Sequence, residues 1–385
     1  MEKVFDMWEW LTRALGDEST DEQLVKRFRG LFSENYVGET ASVPFRQLKN
    51  DEREIVQSIR RQTEKRNRNN VTRTAAYLAF FQQHPSVHWA FLAHMVSRNG
   101  GWCMTDVKGS LLRPILPKGT AHSFFDMFER SNWLIFHDAY PQLLLYDESI
   151  RRGTALFYLL PHFGVSRFMT AVWQHFWRER DESLLTVALI VNEQQYIEQR
   201  IVQHSHYRRT VLHTARYKLQ CAFDFNQVVF PVTELAEQPR LVGRTMHNFS
   251  NVKHRIKTGR KLYQILFHPN FYRRIYEWAA SHPHTGSRAD YWPHRFTAEE
   301  PAGRDKVYSP ALSDAWPDIE HRPAEEGDWY QDASSLSVVP DVTAQREESF
   351  YVTDVYERSY RRLKLMSWLM RVKRHLARHR AFDGR

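Results

Sequence analysis

The stretch His88-Trp89-Ala90-Phe91-Leu92-Ala93-His94-Met95-Val96-Ser97-Arg98-Asn99-Gly100-Gly101-Trp102 holds residue types able to move protons and bind anions. It is too apolar for a solvent-facing helix, so a helix here turns His94 towards protein. His88 and His94 lie about 240° apart around such an axis and cannot share a metal ion unaided. His94 is therefore either a core histidine satisfied by a backbone carbonyl or a catalytic group. The phrase Arg98-Asn99-Gly100-Gly101-Trp102 reads as a left-handed glycine stop. Its freed amides, an arginine and an aromatic wall can hold an anion; a tight corner between helices would use the same residues.

A second locus is Asn192-Glu193, one turn beyond the apolar run Leu184-Leu185-Thr186-Val187-Ala188-Leu189-Ile190-Val191. A carboxylate that starts in the interior must find a cation or hold its proton more tightly, which makes Glu193 a candidate acid or base. A structural ion pair is the alternative. The third is His284-Thr285-Gly286-Ser287-Arg288-Ala289-Asp290, where hydroxyls, an arginine and an aspartate can grip phosphate or carboxylate. The candidate catalytic set is thus Glu193, His94 and Asp290. The ligand-binding set is Arg98, Asn99, Gly100, Gly101, Trp102, Asn192, Ser287 and Arg288. No spacing matches a P-loop or zinc signature, His204-Ser205-His206 with His213 included, so no metal or cofactor is expected.

The elements that must position these groups read as helices almost throughout. Asn50 or Asp51 opens one to about Arg66; Thr72 or Thr74 opens the next, closed by His84-Pro85. Ser86 caps the His88 helix, Thr105 or Asp106 starts a short one, Thr120 starts another to Tyr140, and Pro141 begins a further helix ending at Gly153. Ser166 and Asp181 cap the following two, the second reaching about Gln203, and later helices fall near 207–223, 245–267 and 269–281. Only Val228–Val232 suggests a strand, weakened by Pro231. The predicted fold is all-α, a multi-helix bundle with a single large core. Four regions are expected: an N-terminal helical arm (1–48), the helical core (49–294), an acidic proline-rich irregular segment (295–349) and a basic amphipathic helix (350–385).

At 385 residues and 42% apolar the chain can fill such a core. Its net charge of +9 is uneven: residues 295–357 carry 5 Lys/Arg against 15 Asp/Glu, and residues 358–385 carry 10 against 1. The acidic segment is expected to drape over the body or remain a solvated spacer. In the last helix Leu365, Trp368, Leu369, Val372 and Leu376 share one face, with Lys364, Arg371, Arg374 and Arg378 away from it. That pattern suits a membrane surface, nucleic acid or a partner helix. The cysteines, Cys103 and Cys221, form no disulfide or zinc pattern and read as small buried side chains. The first residues show no signal-peptide pattern, so a cytoplasmic location is expected, with peripheral membrane contact through the tail.

Several phrases resemble the bacterial Domain of Unknown Function 2515 family (DUF2515): Asn69-Asn70-Val71-Thr72-Arg73-Thr74, the His88 stretch, Asp138-Ala139-Tyr140-Pro141-Gln142-Leu143, Asn192-Glu193-Gln194 and His284 to Pro293. The resemblance spans about residues 40–296 and leaves the acidic segment and the tail outside. It implies a cytosolic protein of spore-forming bacteria and supplies no catalytic assignment. Two functions follow as expectations, and neither decides whether the chain is an enzyme. One is binding of a phosphate- or carboxylate-bearing ligand in a pocket of the helical core. The other is a non-enzymatic adaptor, or a peripheral membrane or nucleic-acid-associated protein, acting through the basic C-terminal helix.

Overall fold

Side-chain caps and tertiary packing, more than glycine and proline, set where the helices end. A computed structural model describes residues 21–33, 43–212, 227–232, 240–246, 248–300, 305–339 and 350–382. Ten helices carry the argument: α1 (Asp21–Ser33), α2 (Asn50–Arg66), α3 (Asn70–Gln83), α4 (His88–Asp106), α5 (Lys118–Arg152), α6 (Arg167–Glu179), α7 (Glu182–Ile197), α8 (Val252–Leu266), α9 (Tyr272–Ser281) and α10 (Thr353–Phe382). Asn69 opens α3, taking the place expected for Thr72 or Thr74. Its Oδ1 accepts Thr72 N at 3.0 Å while Thr72 Oγ1 accepts Asn69 N at 3.1 Å. Ser166 and Asp181 cap α6 and α7 as expected, accepting from Met169 N and Leu184 N.

Three predicted breaks are absent. Helix α4 runs through Gly100 and Gly101 to Asp106, so there is no glycine stop, and Thr105 and Asp106 close α4 without starting a new helix. Val87, not Ser86, precedes α4 and makes no side-chain cap. Pro141 lies inside α5, one helix from Lys118 to Arg152 ended by Gly153 at φ 66°. The missing proline N–H is outweighed by the buried row Leu134, Phe136, Leu143, Leu145 and Tyr146 on both sides of it.

The body is mainly α, with two small sheets among the described residues that amend the all-α expectation. Strand β1 (Gln227–Val232) pairs antiparallel with β2 (Arg240–Thr245), Pro231 opposite Leu241. Gly243 is required there, because an added Cβ would lie 2.0 Å from Val228 O. Phe350 O and Leu241 O then take N–H groups from Gly243 and Val352, which ties the start of α10 to β2. Strand β3 (Phe296–Thr297) pairs parallel with β4 (Val307–Tyr308). Because β2 occupies 240–245, α8 begins at Val252, later than expected. Helical turns at 205–212 start the helix expected at 207–223, whose remainder, with His213 and Cys221, lies outside the described residues, as do 1–20 of the expected arm.

Among the described residues, buried apolar side chains form a contiguous cluster to which α4 contributes Trp89, Phe91 and Met95, and α4 packs against α3, α5, α7 and α8. Phe28 of α1 packs edge-on against Phe168, and Trp316 stacks on Phe125 with centroids 4.1 Å apart. The acidic segment, described over 305–339, drapes over the body as a strap. Arg130 donates to Arg322 O, Arg200 to Glu325 O and Gly327 O, and Arg167 to Tyr330 O and Gln331 O. Arginine side chains thus take up carbonyls that no regular element satisfies.

Candidate functional site

The sequence-selected residues separate into two clusters. The first lies where α4 meets the loop 282–290. His94 is buried; its Nδ1 donates to Thr74 O at 2.8 Å, and burial lowers its pKa to about 3, so the ring is neutral. One turn on, Arg98 is buried with its guanidinium 4.5 Å above the Trp278 ring and donates to His282 O and Pro283 O at 2.6 and 3.2 Å. Its charge tethers the loop to the helix. Asn99 donates to Val229 O and accepts from Val229 N, both at 3.0 Å, substituting for a strand partner of β1.

Gly100 and Gly101 are helical, so their amides are not freed as expected. Gly101 serves packing: an added Cβ would lie 2.6 Å from both Asn70 Oδ1 and His284 Cε1. It makes room for His284 Nε2 to donate to Asn70 Oδ1 at 2.7 Å, while Asn70 Nδ2 donates to Ser97 Oγ at 2.9 Å. Asp290 accepts from Thr285 N and Thr285 Oγ1, both at 2.7 Å, and lies 3.4 Å from His284 Nδ1. Against the pull of burial, His284 and these hydrogen bonds from Thr285 lower its pKa.

Trp102 supports Arg288, whose guanidinium lies 4.2 Å over the indole ring. Arg288 pairs with Asp106 at 2.5 Å and donates to Tyr356 OH at 3.1 Å. Burial works against its charge, and the Asp106 carboxylate outweighs it, so its pKa rises. Ser287 Oγ donates to Ser309 O, and Arg288 N donates to Ser309 Oγ at 2.9 Å. One buried node therefore joins α4, the loop, the strap and α10.

The second cluster is in the helical interior. Asn192 Nδ2 donates to Asp138 Oδ2 at 2.6 Å, and its Oδ1 accepts from Ser166 Oγ and Trp329 Nε1, both at 2.8 Å. Asp138 also accepts from Gln142 Nε2 at 3.0 Å, and burial pushes its pKa up to about 7. Glu193 is likewise raised to about 7 by burial, against hydrogen bonds from Trp89 and Gln194. Gln194 Nε2 donates to Glu193 at 2.8 Å, and Gln194 Oε1 accepts from Arg255, which pairs with Glu198. The Glu193 side chain thus answers the predicted loss of hydration by a raised pKa, with the cation reached through Gln194.

Sequence reasoning passed over Asn70, Asp106, Asp138 and the role of His284. Asn70 and Asp138 stand in phrases that matched the family, yet one lay ahead of a helix start expected at Thr72 or Thr74 and the other read as helix interior. Among the described residues no group of three or more His, Cys, Asp or Glu is placed to hold a metal ion; His204 and His206 are exposed. Burial pushes the Cys103 thiol up to about 12, consistent with an inert side chain.

Helix α10 forms the third place. Tyr356, Ser359, Leu363 and Ser367 are buried against the body, whereas Leu365, Trp368, Leu369 and Leu376 are half or more exposed. Ser367 Oγ and Arg371 Nη2 both donate to Ser110 O, at 3.2 and 2.6 Å. The Arg378 side chain lies outside the described ones.

A family model described as "Protein of unknown function (DUF2515)" matches residues 65–348. The match reaches through the strap, which the sequence resemblance had left outside. A protein of Bacillus subtilis (strain 168) named "Uncharacterized protein YppC" is 42% identical over 279 residues, covering 72% of this chain and 84% of the relative. No solved structure matches the chain. Among the described residues no helix is long and apolar enough to cross a membrane.

Proposed function

Because the chain belongs to the DUF2515 family, whose description names no activity, we propose a function from its own geometry: a helical attachment protein that meets a negatively charged surface through α10. The observation that carries this reading is the passage along α10 from side chains buried against the body to a run of exposed ones. Ser367 and Arg371 both donate to Ser110 O, and from Arg371 to Leu376 every side chain is exposed. Residues 358–385 carry 10 Lys/Arg and a single acid, and a basic rod of this kind attracts polyanions over the range of the Debye length.

The core candidates argue for the same conclusion from the other side. Arg288 is paired with Asp106, Arg98 is spent on two carbonyls, and Asp290 is taken up by its own loop. Glu193 belongs to a different cluster from Arg98 and Arg288, so the converging anion pocket expected from sequence loses its support.

Retention on an immobilised polyanion such as heparin tests the reading. The variant Lys373→Glu/Arg374→Glu alters two exposed side chains and spares the fold. Elution at clearly lower salt than the native chain is expected; coincident elution overturns the proposal.

A further inference from the structure

We infer that the surface met by α10 is the headgroup region of an anionic phospholipid bilayer, an inference that rests on the attachment reading and adds the occupant. At 100° per residue, Leu365, Trp368, Leu369, Val372 and Leu376 fall within an arc of about 100°. Tyr356, Leu363 and Ser367 fall on the opposite side of the helix, and these are the residues buried against the body. The apolar stripe therefore points away from the described part of the body. Leu365, Trp368 and Leu376 are 58%, 59% and 57% exposed. Of the nine large apolar side chains exposed among the described residues, five belong to this stripe, so the feature is a concentrated patch and not ordinary surface scatter.

Charge selects the occupant. By the same helical geometry Lys364 flanks the stripe on one side, and Arg362 and Lys373 on the other. A nucleic acid would pair with these cations and leave five apolar side chains in water. A second copy of the chain would cover the stripe but would bring two strongly basic rods together. A bilayer interface accommodates both features: apolar side chains enter the boundary between headgroups and acyl chains while Lys and Arg reach lipid phosphates from the flanks. Trp368 has the amphipathic ring favoured at that depth. The stripe covers three turns, about 16 Å, which suits a helix lying in the interface plane.

Co-sedimentation of the full chain with vesicles tests the inference, using mixed phosphatidylglycerol and phosphatidylcholine vesicles against phosphatidylcholine alone. The critical variant is Leu365→Ser/Trp368→Ser/Leu369→Ser, which changes only exposed side chains. The native chain is expected to bind the anionic vesicles and not the neutral ones. The triple variant is expected to lose roughly tenfold or more in partitioning while keeping its melting temperature and its heparin elution. Native-like vesicle binding by the triple variant would overturn the bilayer and leave a purely electrostatic attachment. Failure of the native chain to bind anionic vesicles, with a dimer in sedimentation equilibrium that the triple variant dissolves, would overturn it in favour of a second copy. An unchanged heparin elution of Lys373→Glu/Arg374→Glu would instead remove the attachment reading itself.

Discussion

Gly100 and Gly101 differ in what their missing side chains leave room for, and that difference can be measured. A Cβ at residue 101 would meet Asn70 Oδ1 and His284 Cε1 at 2.6 Å, inside a buried hydrogen-bonded chain. At residue 100 the nearest atom would be Asn132 Nδ2 at 3.6 Å, ordinary contact. Gly101→Ala is therefore expected to destabilise by about 1–3 kcal/mol through overpacking. Gly100→Ala is expected to be neutral or to stabilise by up to about 1 kcal/mol through helix propensity; equal urea midpoints for the two variants would refute the assignment. Asp138 gives a second test. Burial raises its pKa to about 7, so between roughly pH 4 and 7 the folded chain retains a proton that the unfolded chain has released. Stability contributed by that proton is lost as pH rises through this window. Asp138→Asn keeps an acceptor for Asn192 and Gln142 and removes the penalty, so it is expected to stabilise the chain at pH 8 by roughly 2 kcal/mol and much less at pH 4. Glu193, also raised to about 7, retains part of the pH slope in that variant. Denaturation curves at the two pH values decide it.

At the level of elements, what the sequence made legible was periodicity and capping, and what it hid was contact between distant segments. The caps at Ser166 and Asp181 follow from local spacing and are found where expected. The glycine stop failed because nothing near Gly101 in sequence announces that Asn70 and His284 press against it. Strand β2 was missed because Arg240–Thr245 is short and carries two arginines and a glycine. The candidate site was legible as a list of polar residues on α4 and its loop. Its partition into two clusters was not, since Asp138 and Asp106 are what draw Asn192 and Arg288 apart. The strap looked irregular because it lacks aliphatics, yet Trp316, Trp329 and Tyr330 anchor it. Arg200 is the clearest handle on it, donating to Glu325 O and Gly327 O. Arg200→Met is expected to expose the exposed pair Glu325 and Glu326 to a glutamate-specific protease at least several-fold faster, with little change in global melting temperature. Equal cleavage rates would show that the aromatic anchors alone hold the strap.

Over the whole molecule, two contacts between opposite charges are at issue, and salt separates them. The acidic strap meets a basic body, but the arginines that hold it donate mostly to neutral carbonyls, at Arg322, Glu325, Gly327, Tyr330 and Gln331. Its ion pairs of Arg68 with Asp318 and Arg113 with Glu300 are exposed on both sides and contribute little, while the buried contact of His321 with Glu129 is shielded from salt. Buried aromatic contacts do the rest, and they are indifferent to ionic strength. The attachment of α10 is the reverse case: exposed cations act on an external anionic surface across solvent. Raising salt from about 0.05 M to 0.5 M shortens the Debye length from about 14 Å to about 4 Å. Partitioning onto anionic vesicles is therefore expected to fall by an order of magnitude or more across that range, while the protease resistance of the strap stays constant. A strap that loosens in step with vesicle release would mean that its carboxylates, not its carbonyls, hold it.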